Sequence, residues 1–329
     1  MRAVVMRAFG PPRVLSAERV PDPQPGPGDV VIDVEFASVT FVETQIRAGR
    51  PPRPEMLPAL PAILGNGVGG TVVDAGPGAD RGLAGLTGRR VVSSLNGTGG
   101  YAERAVTAAE RLIDVPSGVP LRDAVALLAD GRTALALVER AEPRAGDTVL
   151  VEAAAGGVGT LLVQLARNAG ARVVALASGE RKLRVASDLG ADIAIDYGDG
   201  DWTRRVRDAV GGSNAAVDVV FDGVGGKIGR AAFDLLRPGG RFCPFGMASG
   251  AFTPVTGELA QARQVTVLAG AAPDAGKLKG LVQTVLAEAA AGRIRPVVGQ
   301  ELELSRAADA HAAIEARNTI GKTLLAASP

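Results

Sequence analysis

The segment Val151-Glu152-Ala153-Ala154-Ala155-Gly156-Gly157-Val158-Gly159 carries the clearest chemistry in this 329-residue chain. It continues an apolar run, Thr148–Ala153, and opens a helical pattern that reaches Asn168, with Gly170 as its stop. Glycine there allows a tight turn. It also lets a pyrophosphate approach the helix N-terminus, where unpaired N–H groups and the helix dipole favour negative charge. The spacing Ala153-x-x-Gly156-x-x-Gly159 is a variant of the dinucleotide fingerprint, with Gly157 and Val158 at the helix start. A glycine-rich strand–helix turn by itself often reports only close packing. Within a strand–helix–strand series it specifies a dinucleotide site, which is the expectation here. Two other glycine clusters are set aside. Gly65-Asn66-Gly67-Val68-Gly69-Gly70 also fits G-x-G-x-x-G, but Thr71–Ala75 after it reads as a strand, so a bulged or closely approached strand is predicted. Gly225-Gly226-Lys227 resembles part of a phosphate loop. Phe221 stands at that pattern's first glycine and Ile228 at its Ser/Thr, which excludes an NTPase.

The end of the second strand, Arg172–Ala177, selects the cofactor. NAD sites place an acid there for the ribose 2′-hydroxyl. This chain has Ser178 and Gly179, then Arg181 and Lys182. A hydroxyl and two cations suit a 2′-phosphate, which a carboxylate would repel. Glu180 is the one contrary residue, and its helical position directs it elsewhere. The expected cofactor is NADP(H). Other reactive types are scarce. The single cysteine, Cys243, lies in the apolar Arg241-Phe242-Cys243-Pro244-Phe245 and reads as a buried small residue. One cysteine excludes an internal disulfide and a Cys-rich zinc site. The single histidine, His311, sits in an Ala-rich helix, Ala307–Ala316, and reads as structural or solvent-facing. One histidine excludes paired-histidine zinc centres.

The elements that must position these residues change character along the chain. Up to about residue 120 the sequence is short apolar runs cut by Pro and Gly: Arg2–Arg7, Val30–Val39, Gly69–Ala75 and Arg90–Leu95. That pattern predicts a small β-rich domain. Leu121–Glu139 is helical in pattern, interrupted at Asp130-Gly131-Arg132. From Asp147 onward strands and helices alternate. The strands Thr148–Ala153, Arg172–Ala177, Asp192–Tyr197, Val217–Asp222, Arg241–Phe245 and Gln264–Gly270 are nearly all apolar. Such strands predict a doubly wound parallel sheet covered on both faces. The helix Lys277–Ala291, the run Pro296–Leu304, the helix Arg306–Ala316 and the strand Lys322–Ala326 leave this alternation and are assigned back to the first domain. The expected division is 1–120 with 272–329 for the β-rich domain, and 121–271 for the dinucleotide domain. Two domains suit the length, at about 150 residues each. Composition excludes several partners. Lys+Arg 36 against Asp+Glu 35 leaves no basic surface for nucleic acid or anionic membrane, and 3% aromatic residues leave little for base stacking. The first ten residues lack a secretory pattern, and no apolar run spans a bilayer, so a soluble cytoplasmic protein is expected.

Taken together, the motifs resemble the zinc-independent quinone oxidoreductases of the medium-chain dehydrogenase/reductase superfamily. The likeness covers essentially the whole chain. It lies in Gly99-Gly100-Tyr101-Ala102-Glu103, in Gly146–Val151 leading into the glycine turn, and in Leu189-Gly190-Ala191-Asp192 with Ile195-Asp196-Tyr197. It continues in Val217–Gly225, Pro238–Arg241, Phe245-Gly246 and Gly321-Lys322. The resemblance implies an α/β fold: a GroES-like β-rich catalytic domain plus a Rossmann domain, with the active site between them. It also implies NADPH and a homodimer. It places the 2′-phosphate on Ser178, Lys182 and Tyr197 and the nicotinamide end near Val224, Phe245 and Gly246. Thr40, Asn66 and Asp130 stand at the positions of catalytic zinc ligands in zinc alcohol dehydrogenases. A hydroxyl, an amide and one carboxylate do not make such a site, so no metal is expected.

The chain departs from the family in Ser38–Arg47. Quinone reductases usually carry Asn, Asp and Tyr where Thr40, Glu43 and Gln45 stand, and an acid where Gly67 stands. Asp130 and Arg132 also add charge to an apolar helix. Buried charge is costly unless paired, so either they pair or Arg132 faces the cleft or the cofactor. The expected activity is hydride transfer from NADPH to a quinone or similar electron-poor carbonyl. The alternatives are enone or enoyl C=C reduction and, from another class, NADPH binding without catalysis. Thr40, Gln45 and Tyr101 are the candidate proton donors, with Glu43, Asn66 and Arg132 nearby.

Overall fold

The computed structural model describes residues 1–79, 85–212, 216–269 and 274–327. They form two compact units, 1–129 with 278–329, and 130–277. The first unit holds β1 (Arg2–Met6), β2 (Leu15–Arg19), β3 (Asp29–Val39), α1 (Phe41–Arg47), β4 (Ala62–Ile63), β5 (Gly67–Ala75), β6 (Arg90–Ser94), β7 (Arg104–Ala108) and β8 (Ile113–Asp114). Helix α2 (Leu121–Ala141) crosses into the second unit. That unit holds β9 (Thr148–Val151), α3 (Gly157–Asn168), β10 (Arg172–Ala177), α4 (Glu180–Asp188), β11 (Ile193–Asp196), α5 (Trp202–Val210) and β12 (Val217–Asp222). It continues with α6 (Gly226–Phe233), β13 (Leu236–Pro244), α7 (Gly257–Ala262) and β14 (Thr266–Val267). Helix α8 (Ala275–Ala290) leads back to the first unit, which ends with β15 (Val298–Glu303), α9 (Ala307–Glu315) and β16 (Lys322–Ala326).

The first unit is built on a seven-stranded sheet ordered β15-β16-β3-β5-β6-β8, with β7 also paired to β3. Its core draws on alternate residues of each strand, such as Ile32 and Val34 of β3 and Val68 and Val72 of β5. Strands β1, β2 and β4 form a smaller antiparallel sheet. The glycines of β5 let β3 approach closely. A Cβ on Gly70 would sit 1.9 Å from the Asp33 carbonyl oxygen, and the β3–β5 register shifts on either side of that point. The second G-x-G-x-x-G match is therefore sheet packing, as its missing helix predicts.

The second unit is a six-stranded parallel sheet ordered β11-β10-β9-β12-β13-β14. Strand β10 is buried from Val173 to Ala177 without alternation, as a sheet covered on both faces requires. Chain order reverses between β9 and β12. In such sheets the crevice at the carboxyl ends of the strands flanking that reversal takes the ligand.

Two local expectations are corrected and one is resolved. Helix α2 runs unbroken through Asp130-Gly131-Arg132. One glycine costs only about 1 kcal/mol in a helix, and Asp130 and Arg132 act on each other as opposite charges. The last strand of the parallel sheet covers Thr266–Val267 and not Gln264–Gly270; Gly270 and the expected boundary at 271/272 lie outside the described residues. His311 is fully buried, which bears out the structural alternative over the solvent-facing one. Among the described residues, no helix is long and apolar enough to cross a membrane.

Candidate functional site

The turn from β9 into α3 has the geometry of an anion cradle. Ala153 adopts a left-handed backbone (φ 47°), and its carbonyl accepts the Gly156 N–H at 2.8 Å. A Cβ on Gly159 would meet that same carbonyl oxygen at 2.2 Å, so only glycine allows α3 to lie this close to the strand end. No side chain caps α3 at Gly156, and its first turn has no acid of its own. Its leading N–H groups are those of Gly157, Val158 and Gly159, the positions from which a helix start can bind a phosphate. Asp130 packs over Gly157, where a Cβ would lie 1.9 Å from its Oδ2. Burial lowers the affinity of Arg132 for its proton, and Asp130 opposes this. Asp130 is the charge at the helix start, and Arg132 offsets it as an opposite charge.

The residues expected at the ribose end lie at the carboxyl edges of β10 and β11. Ala177 pairs with Asp196, and the Tyr197 N–H donates to the Ala177 carbonyl at 3.2 Å. Asp196 fixes the turn by accepting the Gly179 N–H and the Gly198 N–H, each at 2.7 Å. Ser178, Lys182 and Tyr197 are half-buried around this edge. Glu180 points outward and pairs with Arg184 at 3.4 Å along α4, as its helical position predicts.

Val224, Phe245 and Gly246 converge on one residue, Asp222. Its carbonyl accepts the Phe245 N–H at 2.9 Å and the Gly246 N–H at 3.1 Å. Its carboxylate accepts the Val224 N–H at 3.1 Å and the Gly225 N–H at 2.6 Å, and also the Thr253 hydroxyl. The Val224 N–H is shared with Glu152 at 3.1 Å. Burial, and then Asp222, push the Glu152 carboxyl well above the usual carboxylate range. Sequence reasoning quoted Glu152 and Asp222 within motifs but gave neither a role. Two acids in otherwise apolar strand ends were the available signal.

In the first unit a polar cluster lies behind α1. Thr40 caps the helix and Glu43 closes a capping box. The fully buried Glu43 carboxylate accepts the Thr40 N–H at 2.7 Å, the Thr40 hydroxyl at 3.0 Å, the Asn66 N–H at 2.7 Å and the Tyr101 hydroxyl at 3.2 Å. Burial raises its affinity for a proton, and the backbone donors and Lys322 oppose this. Tyr101 is also fully buried, and its oxygen lies 3.0 Å from His311 Nε2. Because Tyr101 donates to Glu43, the consistent tautomer has His311 donating from Nε2, with Nδ1 a bare acceptor. Burial, and then Arg47, lower the His311 pKa to about 3, so the ring is neutral. The Gln45 amide donates to Thr44 Oγ1 at 3.1 Å. Asn66 accepts the Leu95 and Gly97 N–H groups through Oδ1. Thr40, Gln45 and Asn66 are half-buried.

Cys243 is buried, its thiol pushed up to about 12 by burial, which makes it unreactive. Among the described residues, no three His, Cys, Asp or Glu side chains come together in a metal-ligating group.

Comparison with known proteins agrees with both halves of this geometry. Residues 26–117 match the alcohol dehydrogenase GroES-like domain, and 157–286 match a zinc-binding dehydrogenase domain. A Pseudomonas aeruginosa quinone oxidoreductase is 32% identical over 98% of this chain and 99% of its own. A 2-haloacrylate reductase from a Burkholderia species is 35% identical over 78% of this chain and 75% of its own. A mycobacterial protein solved in complex with NADPH superposes with a TM-score of 0.88 at 34% identity, covering 99% of this chain and 100% of that one. The fold and the glycine turn thus define a medium-chain dehydrogenase/reductase. Within that superfamily, the chain belongs to the quinone oxidoreductase family.

Proposed function

We propose that the chain is an NADPH-dependent oxidoreductase that transfers a hydride to a quinone or similar electron-poor carbonyl acceptor without a metal. The observation that carries this is the uncapped glycine turn into α3 at the reversal point of the parallel sheet. Ala153, Gly156, Gly157, Val158 and Gly159 would hold the pyrophosphate. Ser178, Lys182 and Tyr197 would take the 2′-phosphate, with no carboxylate at Ser178 to repel it. Val224, Phe245 and Gly246 would flank the nicotinamide, which supplies the hydride when bound.

The acceptor assignment rests on how the first unit spends its protons. The Thr40 and Tyr101 hydroxyls both donate to Glu43, and the Gln45 amide donates to Thr44. Tyr101 is therefore proposed to brace Glu43 and not to meet substrate. The Thr40 hydroxyl is spent in the same way, so Gln45, whose amide has a second N–H, remains the candidate for orienting an acceptor oxygen. A quinone spreads its new negative charge over the ring and can take protons from water. An enone needs a proton placed at carbon, which asks more of the site. C=C reduction is the second reading, favoured by the likeness to the 2-haloacrylate reductase. The reading further includes a small-molecule substrate and a cytoplasmic homodimer, which sedimentation would register at twice 33.3 kDa. Neither a nucleic-acid nor a membrane partner is part of it.

The test is NADPH oxidation by the purified chain, with NADH alongside, against benzoquinone, a naphthoquinone and a set of α,β-unsaturated ketones and acids. Turnover on quinones is expected. Turnover on enones alone would replace the first reading with the second. Tight NADPH binding without turnover on any acceptor would overturn both.

A further inference from the structure

At the carboxyl ends of β9 and β12, the two strands that flank the sheet's reversal point, Glu152 and Asp222 are both fully buried. Their carboxyl groups converge on one donor, the Val224 N–H, which lies 3.1 Å from Glu152 Oε2 and 3.1 Å from Asp222 Oδ1. Yet Oε1 of Glu152 receives no donor from the protein. Two carboxylates cannot both ionise in so dry a place, and a hydrogen bond between them requires a proton. The donors show where it sits. Asp222 takes the Val224 and Gly225 N–H groups and the Thr253 hydroxyl, which suits an anion. Glu152 takes only its share of the Val224 N–H, which suits a neutral acid donating to Asp222.

We propose that Glu152 and Asp222 are positioning residues that share one proton and thereby hold the two turns carrying Val224, Phe245 and Gly246 in the shape that receives the nicotinamide end of NADPH. This rests on the cofactor placement proposed above. The turns offer little slack. A Cβ on Gly223 would lie 2.8 Å from the Phe245 ring, and one on Gly246 would lie 2.4 Å from the Gly223 carbonyl oxygen. The backbone between Asp222 and Gly246 is thus close-packed and hung on Asp222 from both its carbonyl and its side chain. Loss of the shared proton sets two negative charges against each other under this backbone. Helix α6 lies against Asp222 through Gly229, where a Cβ would sit 2.6 Å from Oδ2; it carries Lys227 and Arg230, the latter paired with Asp234 at 3.2 Å. Strand β10 contributes Leu176 and Ala177, α3 opens with Gly157, Val158 and Gly159, and the segment after β13 contributes Phe245 and Thr253. Asp130 of α2 lies against Gly157 and acts on Arg132 as an opposite charge.

The experiment is fluorescence titration of the full chain with NADPH from about pH 7 to about pH 10, spanning the range in which a strongly raised carboxyl ionises. Wild type is expected to lose affinity tenfold or more toward the alkaline end. Glu152→Ala should bind about tenfold more weakly throughout. Glu152→Gln, whose amide can donate to Asp222 without ionising, should recover most of that affinity and show no alkaline loss beyond a shared baseline. Superimposable profiles for wild type and Glu152→Gln would overturn the proposal, even if Glu152→Ala fails to fold. Thermal denaturation without NADPH over the same range separates the two layers of the argument. If Glu152→Gln flattens the stability profile while NADPH affinity keeps one pH dependence in both proteins, the proton-sharing pair stands. The placement of the nicotinamide end then falls, and the proposal with it.

Discussion

Ser178 is the proposed 2′-phosphate residue, at a position where a carboxylate would be expected to reverse the cofactor preference. Replacing Ser178 by Asp and Lys182 by Ala removes a hydroxyl and a cation and adds a negative charge at the edge of β10. The double variant is expected to bind NADPH at least tenfold more weakly, about 1.4 kcal/mol, with NADH affinity unchanged or improved; titration of both cofactors reads the ratio. His311 gives a second prediction. Its folded pKa of about 3 lies below the ordinary 6.5. Between those values the unfolded chain binds a proton that the native chain refuses. Stability should therefore fall as pH drops from 6.5 toward 3, with a slope of up to about 1.4 kcal/mol per pH unit. His311→Gln keeps a donor for Tyr101 and should lose that slope in urea denaturation across pH. The residues of the dinucleotide turn were legible because their spacing is local. His311 was not, because its partner Tyr101 is 210 positions away and an Ala-rich helix does not announce its buried face. For the same reason Tyr101 looked like a donor in sequence, although its hydroxyl is spent on Glu43.

At the scale of elements, the two glycine motifs can be told apart by the same substitution. A Cβ on Gly159 drives α3 off the end of β9, so Gly159→Ala should cost at least tenfold in NADPH affinity. A Cβ on Gly70 pushes β5 off β3, so Gly70→Ala should cost about 2–3 kcal/mol of stability. Urea unfolding together with NADPH titration checks both. A cofactor-specific effect from Gly70→Ala would mean that the second motif also serves the ligand. Most elements could be read from apolar period and punctuation. The failures have physical reasons. Charges inside α2 looked like a break because sequence alone does not show that Asp130 and Arg132 offset each other. Strand β13 begins at Leu236, earlier than its apolar run, because Pro238-Gly239-Gly240 reads as a turn. In the sheet, that stretch lies in an irregular register beside β12.

On the scale of the whole molecule, each unit has its own core: Val30, Ile32, Val68 and Leu325 among others in the first, and Leu150, Val174, Phe221, Phe233 and Phe242 in the second. Every residue proposed for NADPH lies in the second. Calorimetry is expected to show two transitions, with NADPH at a hundred times its dissociation constant stabilising the second unit by about 2.7 kcal/mol and leaving the other in place. Equal shifts of both would show that the units unfold as one. The division into a β-rich part and a doubly wound part was legible because the apolar pattern changes near residue 120. The return of the chain to the first unit was legible only as a break in alternation. That return has a consequence for how the protein is made. Strand β16 lies between β15 and β3 and pairs Thr323 with Val39. A ribosome delivers β3 well before β16, so the middle of the chain can fold while the sheet that brackets it is still unfinished. Strand β16 closes that sheet like a clasp, and a polypeptide cut before Lys322 would leave β15 without its partner and the Phe36–Val39 end of β3 without β16.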